Sequence, residues 1–237
     1  MGMFDQLRPH PRLTPAEPFY AIGDIHGCFE LLADLLRKLD PGVPIVCLGD
    51  YIDRGPNSAA VLHLLQALPE ITCLRGNHEE MMLRFLADPT GAGAGWLRHG
   101  GLETLQSFGV PVQGDPVEMR DLLETALGAQ TIDWLGALPR FYQSGNVVAT
   151  HAGGDPSNPI EAQDPDFMVW GHPDFARRRR RDGLWMVHGH VIVPEPSIEA
   201  GRIAVDTGAY ASGRLTAARI VPGGVQFVSV QSTAATV

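Results

Sequence analysis

Gly49-Asp50-Tyr51-Ile52-Asp53-Arg54-Gly55-Pro56 follows the apolar run Pro44-Ile45-Val46-Cys47-Leu48, and the junction between the two decides the fold. A short apolar run reads as a buried strand. Gly-Asp at its end sets a carboxylate at the carboxyl edge of a sheet, and Gly55-Pro56 turns the chain away before the next helix. The same grammar occurs twenty-six positions earlier, in Ala21-Ile22-Gly23-Asp24-Ile25-His26-Gly27, and twenty-seven later, in Cys73-Leu74-Arg75-Gly76-Asn77-His78-Glu79. Three strand ends therefore present metal-type ligands side by side.

Helical patterns separate these strands. Leu32, Leu35, Leu36 and Leu39 recur at helical spacing after the first, and Val61, Leu64, Leu65 and Leu68 after the second. Strand and helix alternating in this way predict βαβ units with a parallel sheet. From about 88 to 139 strands give way to amphipathic stretches at 101–108, 117–127 and 131–138, a helical insert expected to cap one side of the site. Strands return at 146–150, 184–187 and 202–205, ending at His151, at His188-Gly189-His190 and at Asp206. Residues 215–221 and 225–230 about Pro222-Gly223-Gly224 predict a hairpin. Residues 1–18, with four prolines, read as an irregular arm, and 19–237 as a single domain.

The chain has 237 residues, 44% of them hydrophobic, enough for one large core. A formal net charge of −9 argues against general attraction to nucleic acid or an anionic membrane. No apolar run has the length of a membrane span, and the arm lacks the apolar core of a signal peptide, so a cytoplasmic location is expected. Cys28, Cys47 and Cys73 form no C-x-x-C pair and read as reduced, buried thiols.

Five strand ends carry Asp24 with His26, Asp50, Asn77 with His78, His151, and His190. Oxygen donors mixed with imidazoles suit a pair of divalent transition ions, Mn before Fe or Zn, better than Ca or Mg. A shared carboxylate holds two ions about 3.5–4 Å apart, and Asp50, central in the pattern, is the natural bridge. Two close cations produce hydroxide from a bridging water at neutral pH and neutralise phosphoryl oxygens for in-line attack.

These motifs resemble those of the calcineurin-like metallophosphoesterases. More narrowly they resemble the phosphoprotein phosphatase family, which includes lambda phosphatase, bacterial Ser/Thr phosphatases and symmetrical diadenosine tetraphosphatases. The resemblance runs from about Phe19 to Ala218 and implies a β-sandwich flanked by helices. It also implies that Asp24, His26 and Asp50 hold one ion and that Asp50, Asn77, His151 and His190 hold the other. His78 is then the general acid, oriented and charged by Asp53, with Arg54 offering its guanidinium fork to the phosphate. The chain departs from the pattern in one place. Relatives usually carry a second phosphate-binding arginine just after a tryptophan, where this chain has Trp170-Gly171-His172. His172, or an arginine such as Arg177 from the run Arg177 to Arg181, is the expected substitute.

The function expected is a metal-dependent phosphatase acting on phosphomonoesters, with phosphoprotein Ser/Thr or Tyr as substrate. A dinucleoside polyphosphate hydrolase and a catalytically weak scaffold that binds phosphorylated ligands are the competing readings. His188, alternating with His190, is expected to pack in the core. His10, His63 and His99 read as surface or cap residues, and the arginine run as a solvated face.

Overall fold

The computed structural model describes residues 10–232; residues 1–9 of the expected arm lie outside them. The first βαβ units form as expected. β1 (Phe19–Ile22), β2 (Ile45–Cys47) and β3 (Thr72–Cys73) are parallel neighbours, with α1 (Phe29–Lys38), α2 (Ser58–Gln66) and α3 (Asn77–Ala87) following them in turn. The helical segment then contains a short 3-10 turn (Trp96–His99), α4 (Gly101–Ser107) and α5 (Pro116–Ala137). Next come β4 (Phe141–Ser144), β5 (Val147–Thr150), α6 (Pro165–Trp170), β6 (Trp185–His188), β7 (Ser197–Glu199), β8 (Arg202–Ala204), α7 (Ala209–Ser212), β9 (Arg214–Val221) and β10 (Gly224–Gln231).

The strands make two five-stranded sheets, ordered β10-β9-β1-β2-β3 and β4-β5-β6-β8-β7. The parallel pairing expected of the first three units is present in the first sheet, and antiparallel strands complete both sheets. The β9–β10 hairpin adds antiparallel to β1, pairing Phe19 with Ile220, and β4 and β7 close both edges of the second sheet antiparallel. Edge strands arriving by hairpin have no crossover helix and so run antiparallel.

Alternation along the strands assigns each side chain to a layer. Phe19, Ala21, Val46 and Leu48 point inward and meet Val147, Ala149, Val187 and Ile203 of the opposing sheet, with Leu13 of the N-terminal segment closing the same layer. Tyr20, Ile22, Cys47 and Cys73 point outward and are covered by the leucines of the helices. Residues 10–18 are irregular but held: the Trp185 indole donates to Pro11 O, and His10 stands edge-on to that indole and contacts Leu184 O. His10 is thus a clamp on the second sheet, not the surface residue its sequence context predicts.

The three cysteines are free. Cys47 and Cys73 are buried across the β2–β3 pairing, while Cys28 is half-buried and its thiol is pushed up to about 11 by desolvation. Buried thiols of this kind are unreactive at neutral pH.

Candidate metal centre and active site

Both sheets aim their carboxyl ends at one place, and the chain there is bent sharply. His26, Asp50, Asp53, Arg54 and His190 all have φ between 45° and 73°. Non-glycine residues in this region store strain of order 1–3 kcal/mol each, and such strain gathers where side-chain direction matters more than backbone comfort. Close approach supplies the rest of the shape. A Cβ on Gly76 would lie 2.2 Å from Asp50 Oδ1, and one on Gly189 2.1 Å from Asp24 Oδ1. The two glycines let the loops close on the carboxylates.

The expected ligands converge. His26, Asp50 and His78 form one group whose donor atoms lie within 4.8 Å of one another; Asp50, His151 and His190 form a second, and Asp50 is common to both. Asn77 Oδ1 sits 2.9 Å from both His151 Nε2 and His190 Nδ1. Asp24 approaches from β1, accepting from the His190 backbone N–H at 3.1 Å, with Oδ1 4.0 Å from His151 Nδ1.

The tautomers test whether this set fits cations. Nδ1 of His151 faces Leu48 O at 3.1 Å and Nδ1 of His26 faces Ile52 O at 2.8 Å, so in both rings Nδ1 bears the proton. Each Nε2 is then a lone pair pointing inward. His151 Nε2 meets Asn77 Oδ1 and, at 3.4 Å, Asp50 Oδ1; His26 Nε2 meets Asp50 Oδ2 at 3.5 Å. Lone pairs facing lone pairs, each imidazole fixed by a carbonyl behind it, form a donor set completed by metal ions.

The electrostatics agree. Burial pushes the carboxyls of Asp24, Asp50 and Asp206 upward, and the first two are raised further by neighbouring carboxylates. Burial also pushes His26 and His151 well down, keeping them neutral. Crowded carboxylates beside neutral imidazoles are what a pair of dications neutralises.

Beside this centre His78 Nδ1 is 2.6 Å from Asp53 Oδ2, and His78 Nε2 turns toward Asp50 Oδ2 at 3.9 Å. Desolvation pushes His78 down to about 3 and Asp53 up to about 8, so neither bears an isolated charge readily, and the two face each other at hydrogen-bond distance. Arg54 places Nη1 3.1 Å from His26 Nε2 and its guanidinium over the Tyr210 ring, 4.7 Å from the centroid.

Several supporting residues were given no role from the sequence. Glu79 accepts the backbone N–H groups of Asp50, Tyr51 and Gly76, tying the second motif to the third, and burial raises it to about 7. Its place in Gly76-Asn77-His78-Glu79 was the available signal. Thr104 donates to Asp53 Oδ1 at 2.6 Å and Trp96 Nε1 to Oδ2 at 2.8 Å, both from the helical segment. Asp206, buried at the end of β8, lies against Asp24.

His172 and Arg177 require correction. A cavity of about 280 Å³ opens beside His78, lined by Arg54, Asn77, Met81, Arg84, Trp96, His99 and Trp170 among others, and neither His172 nor Arg177 lines it. His172 packs edge-on to Phe167 and accepts from the Asp174 N–H, closing the loop after α6. Arg177 is exposed on that loop. Arg178 pairs with Asp174, Arg179 donates to His10, and Arg180 is buried against Asp182 and the carbonyls of Asp155 and Asn158. Part of the run is thus structural, not a solvated face. His188 packs in the core against Phe175, as its alternation with His190 predicts.

Two sheets with their carboxyl ends converging on paired N/O donor groups define a metal-dependent phosphoesterase. Comparison with known proteins agrees: residues 17–199 match the calcineurin-like phosphoesterase family model, and the chain belongs to that family, whose members use a dinuclear metal site. It is 31% identical to serine/threonine-protein phosphatase 1 of Salmonella typhimurium over 211 residues, covering 85% of this chain and 91% of that one. It is 29% identical to the asymmetrical bis(5′-nucleosyl)-tetraphosphatase PrpE of Bacillus velezensis over 244 residues, covering 90% and 92%. A protein serine/threonine phosphatase from Saccharomyces cerevisiae shares the fold at a TM-score of 0.63 and 18% identity, covering 94% of this chain and 82% of that one. The protein is a phosphoric ester hydrolase. Among the described residues no helix is long and apolar enough to cross a membrane.

Proposed function

We propose that the protein hydrolyses phosphomonoesters, with phosphorylated Ser/Thr or Tyr side chains as substrate class, at a centre of two divalent ions, Mn before Fe or Zn. The observation that carries this reading is His78, held on Asp53 at 2.6 Å beside two donor groups that share Asp50. A site that only bound phosphate would have no use for a poised proton donor. Asp24, His26 and Asp50 hold one ion; Asp50, Asn77, His151 and His190 hold the other. When bound, the ions supply an acidified water and neutralise phosphoryl charge. Arg54 meets a phosphoryl oxygen with its guanidinium, already stacked on Tyr210. His78 gives its proton to the departing oxygen, and Asp53 keeps the ring turned so that Nε2, not Nδ1, faces it. In this reading residues 19–237 are one phosphatase domain, and the insert at about 88–139 is the part that fixes Asp53.

The similarity to PrpE supports a second reading, hydrolysis of dinucleoside polyphosphates. One experiment separates the two. Metal-stripped protein is assayed with and without Mn²⁺ on an aryl phosphomonoester, a phosphopeptide and diadenosine tetraphosphate, beside Asp50→Asn and His78→Asn. Mn²⁺-dependent turnover of the monoesters, abolished in Asp50→Asn and reduced at least a hundredfold in His78→Asn, is the expected result. A strong preference for diadenosine tetraphosphate overturns the substrate class, and full activity of His78→Asn overturns the acid assignment.

A further inference from the structure

α3 begins at a ligand candidate and carries an arginine near its end. Asn77, Met81 and Arg84 are spaced i, i+4, i+7 and share one face of the helix. At 1.5 Å per residue the stripe is about 10 Å long. All three border the cavity beside His78. Across it stands Trp170, the last residue of α6, 37% exposed, with the Arg84 guanidinium carbon 5.4 Å from its ring centroid. Arg84 Nε and Nη2 both reach one oxygen of Glu80, whose other oxygen takes Arg75. Among the described residues no acceptor is bonded to Arg84 Nη1.

If His78 protonates the departing oxygen, the departing group occupies the open space that His78 borders, which is this cavity. Its wall changes character with distance from the metal centre. Along α3 the Met81 thioether comes first and the Arg84 cation follows, with the Trp170 indole beside that cation; thioether and indole are surfaces that accept a flat apolar group. A volume of about 280 Å³ lies just below the usual range for ligand pockets and gives room for one ring beside His78.

We propose that this cavity is a leaving-group pocket for phosphoesters of a single aromatic ring bearing an acidic substituent, the ring lying against Met81 and Trp170 and the acid pairing with Arg84. Arg84 thereby takes over anion recognition on the side of the site where the usual arginine after Trp170 is missing, but for the departing group in place of the phosphate. The proposal rests on the hydrolytic reading above. Water attacks phosphorus, the P–O(aryl) bond breaks with its electron pair going to the aryl oxygen, and that oxygen takes a proton, giving inorganic phosphate and the phenol.

The test compares 4-carboxyphenyl phosphate with phenyl phosphate on Mn²⁺-loaded wild type, Arg84→Gln and Arg84→Lys. Comparing the ratio across variants cancels the intrinsic reactivity of each ester. The kcat/KM ratio is expected to favour the carboxylated ester about tenfold in wild type, to collapse toward one in Arg84→Gln through KM, and to recover in part in Arg84→Lys. Calorimetric binding of 4-carboxybenzylphosphonate against benzylphosphonate gives a readout independent of turnover. Trp170→Leu is expected to weaken both phosphonates relative to inorganic phosphate. Equal affinity of wild type for the two phosphonates, or an equal fall on both esters in Arg84→Gln, overturns the pocket. Absence of all phosphomonoester turnover overturns the catalytic reading instead, and the phosphonates still decide the pocket.

Discussion

Asp53 shows how much of the site is made by residues that never meet the substrate. Its two oxygens are fully used: Thr104 holds one, and Trp96 and His78 share the other. Trp96→Phe keeps an aromatic ring against Phe85 but removes the N–H, leaving the carboxylate less firmly held and His78 less firmly aimed. A lost hydrogen bond to a buried carboxylate is worth about 1.5–3 kcal/mol, so we expect kcat to fall about tenfold or more, with the alkaline limb of the pH–rate profile, where the proton donor is lost, displaced. Thr104→Val is expected to act in the same direction. An unchanged profile with lowered thermal stability alone would assign both residues to packing. Asp53 and His78 were legible in the sequence because each lies in a compact motif. Trp96, Thr104 and Arg84 were not, because their meaning arises only when a segment with no motif folds back across more than forty residues onto Asp53, or when α3 lines up with Trp170.

At the scale of elements, α5 carries its own break. The sequence predicts two amphipathic stretches, 117–127 and 131–138, and Gly128 between them has φ 72° and ψ 155°, a conformation open in practice only to glycine. Beyond its own chain neighbours and helix backbone, no atom of the described residues lies within 4 Å of where its Cβ would be. Gly128→Ala therefore meets no steric clash with neighbours, only backbone strain, and is expected to lower stability by about 1–3 kcal/mol in urea unfolding. A loss near zero would mean that the two halves realign into one straight helix. The same scale shows why two strands escaped the sequence reading. β4 and β7 are edge strands, β4 largely exposed and β7 wholly so, and exposed edges carry no buried alternation. The central strands, buried along most of their length, were read almost residue for residue. The place of the C-terminal hairpin was not legible for a related reason: strand direction is set by connections, and a hairpin at this end cannot be assigned to a sheet from its own pattern.

The whole molecule joins two sheets around a concentration of buried charge, and its stability should report on that charge. Without metal, Asp53 is raised to about 8 and Glu79 to about 7, and Asp24 and Asp50 are raised too, all chiefly by desolvation; the same side chains in an unfolded chain titrate near 4. Between pH 9 and 7 the folded chain therefore takes up protons that the unfolded chain does not. As the pH falls, stability rises wherever the folded state binds more protons, by about 1.4 kcal/mol per pH unit for each. Metal-stripped protein is thus expected to melt at a higher temperature at pH 7 than at pH 9. Below about 6.5 the buried histidines oppose the trend, since His26, His78, His151 and His188 stay neutral when folded and become protonated when unfolded, so the gain levels off. Metal binding requires ionised carboxylates and neutral imidazoles, so protons compete with the ions. The melting temperature gained on adding Mn²⁺ should accordingly be largest at pH 9 and shrink steadily toward pH 6. Melting curves at pH 9, 8, 7 and 6, with and without Mn²⁺, test this directly. If the two series run parallel, the carboxylates at the junction of the sheets are not the groups that hold the metal.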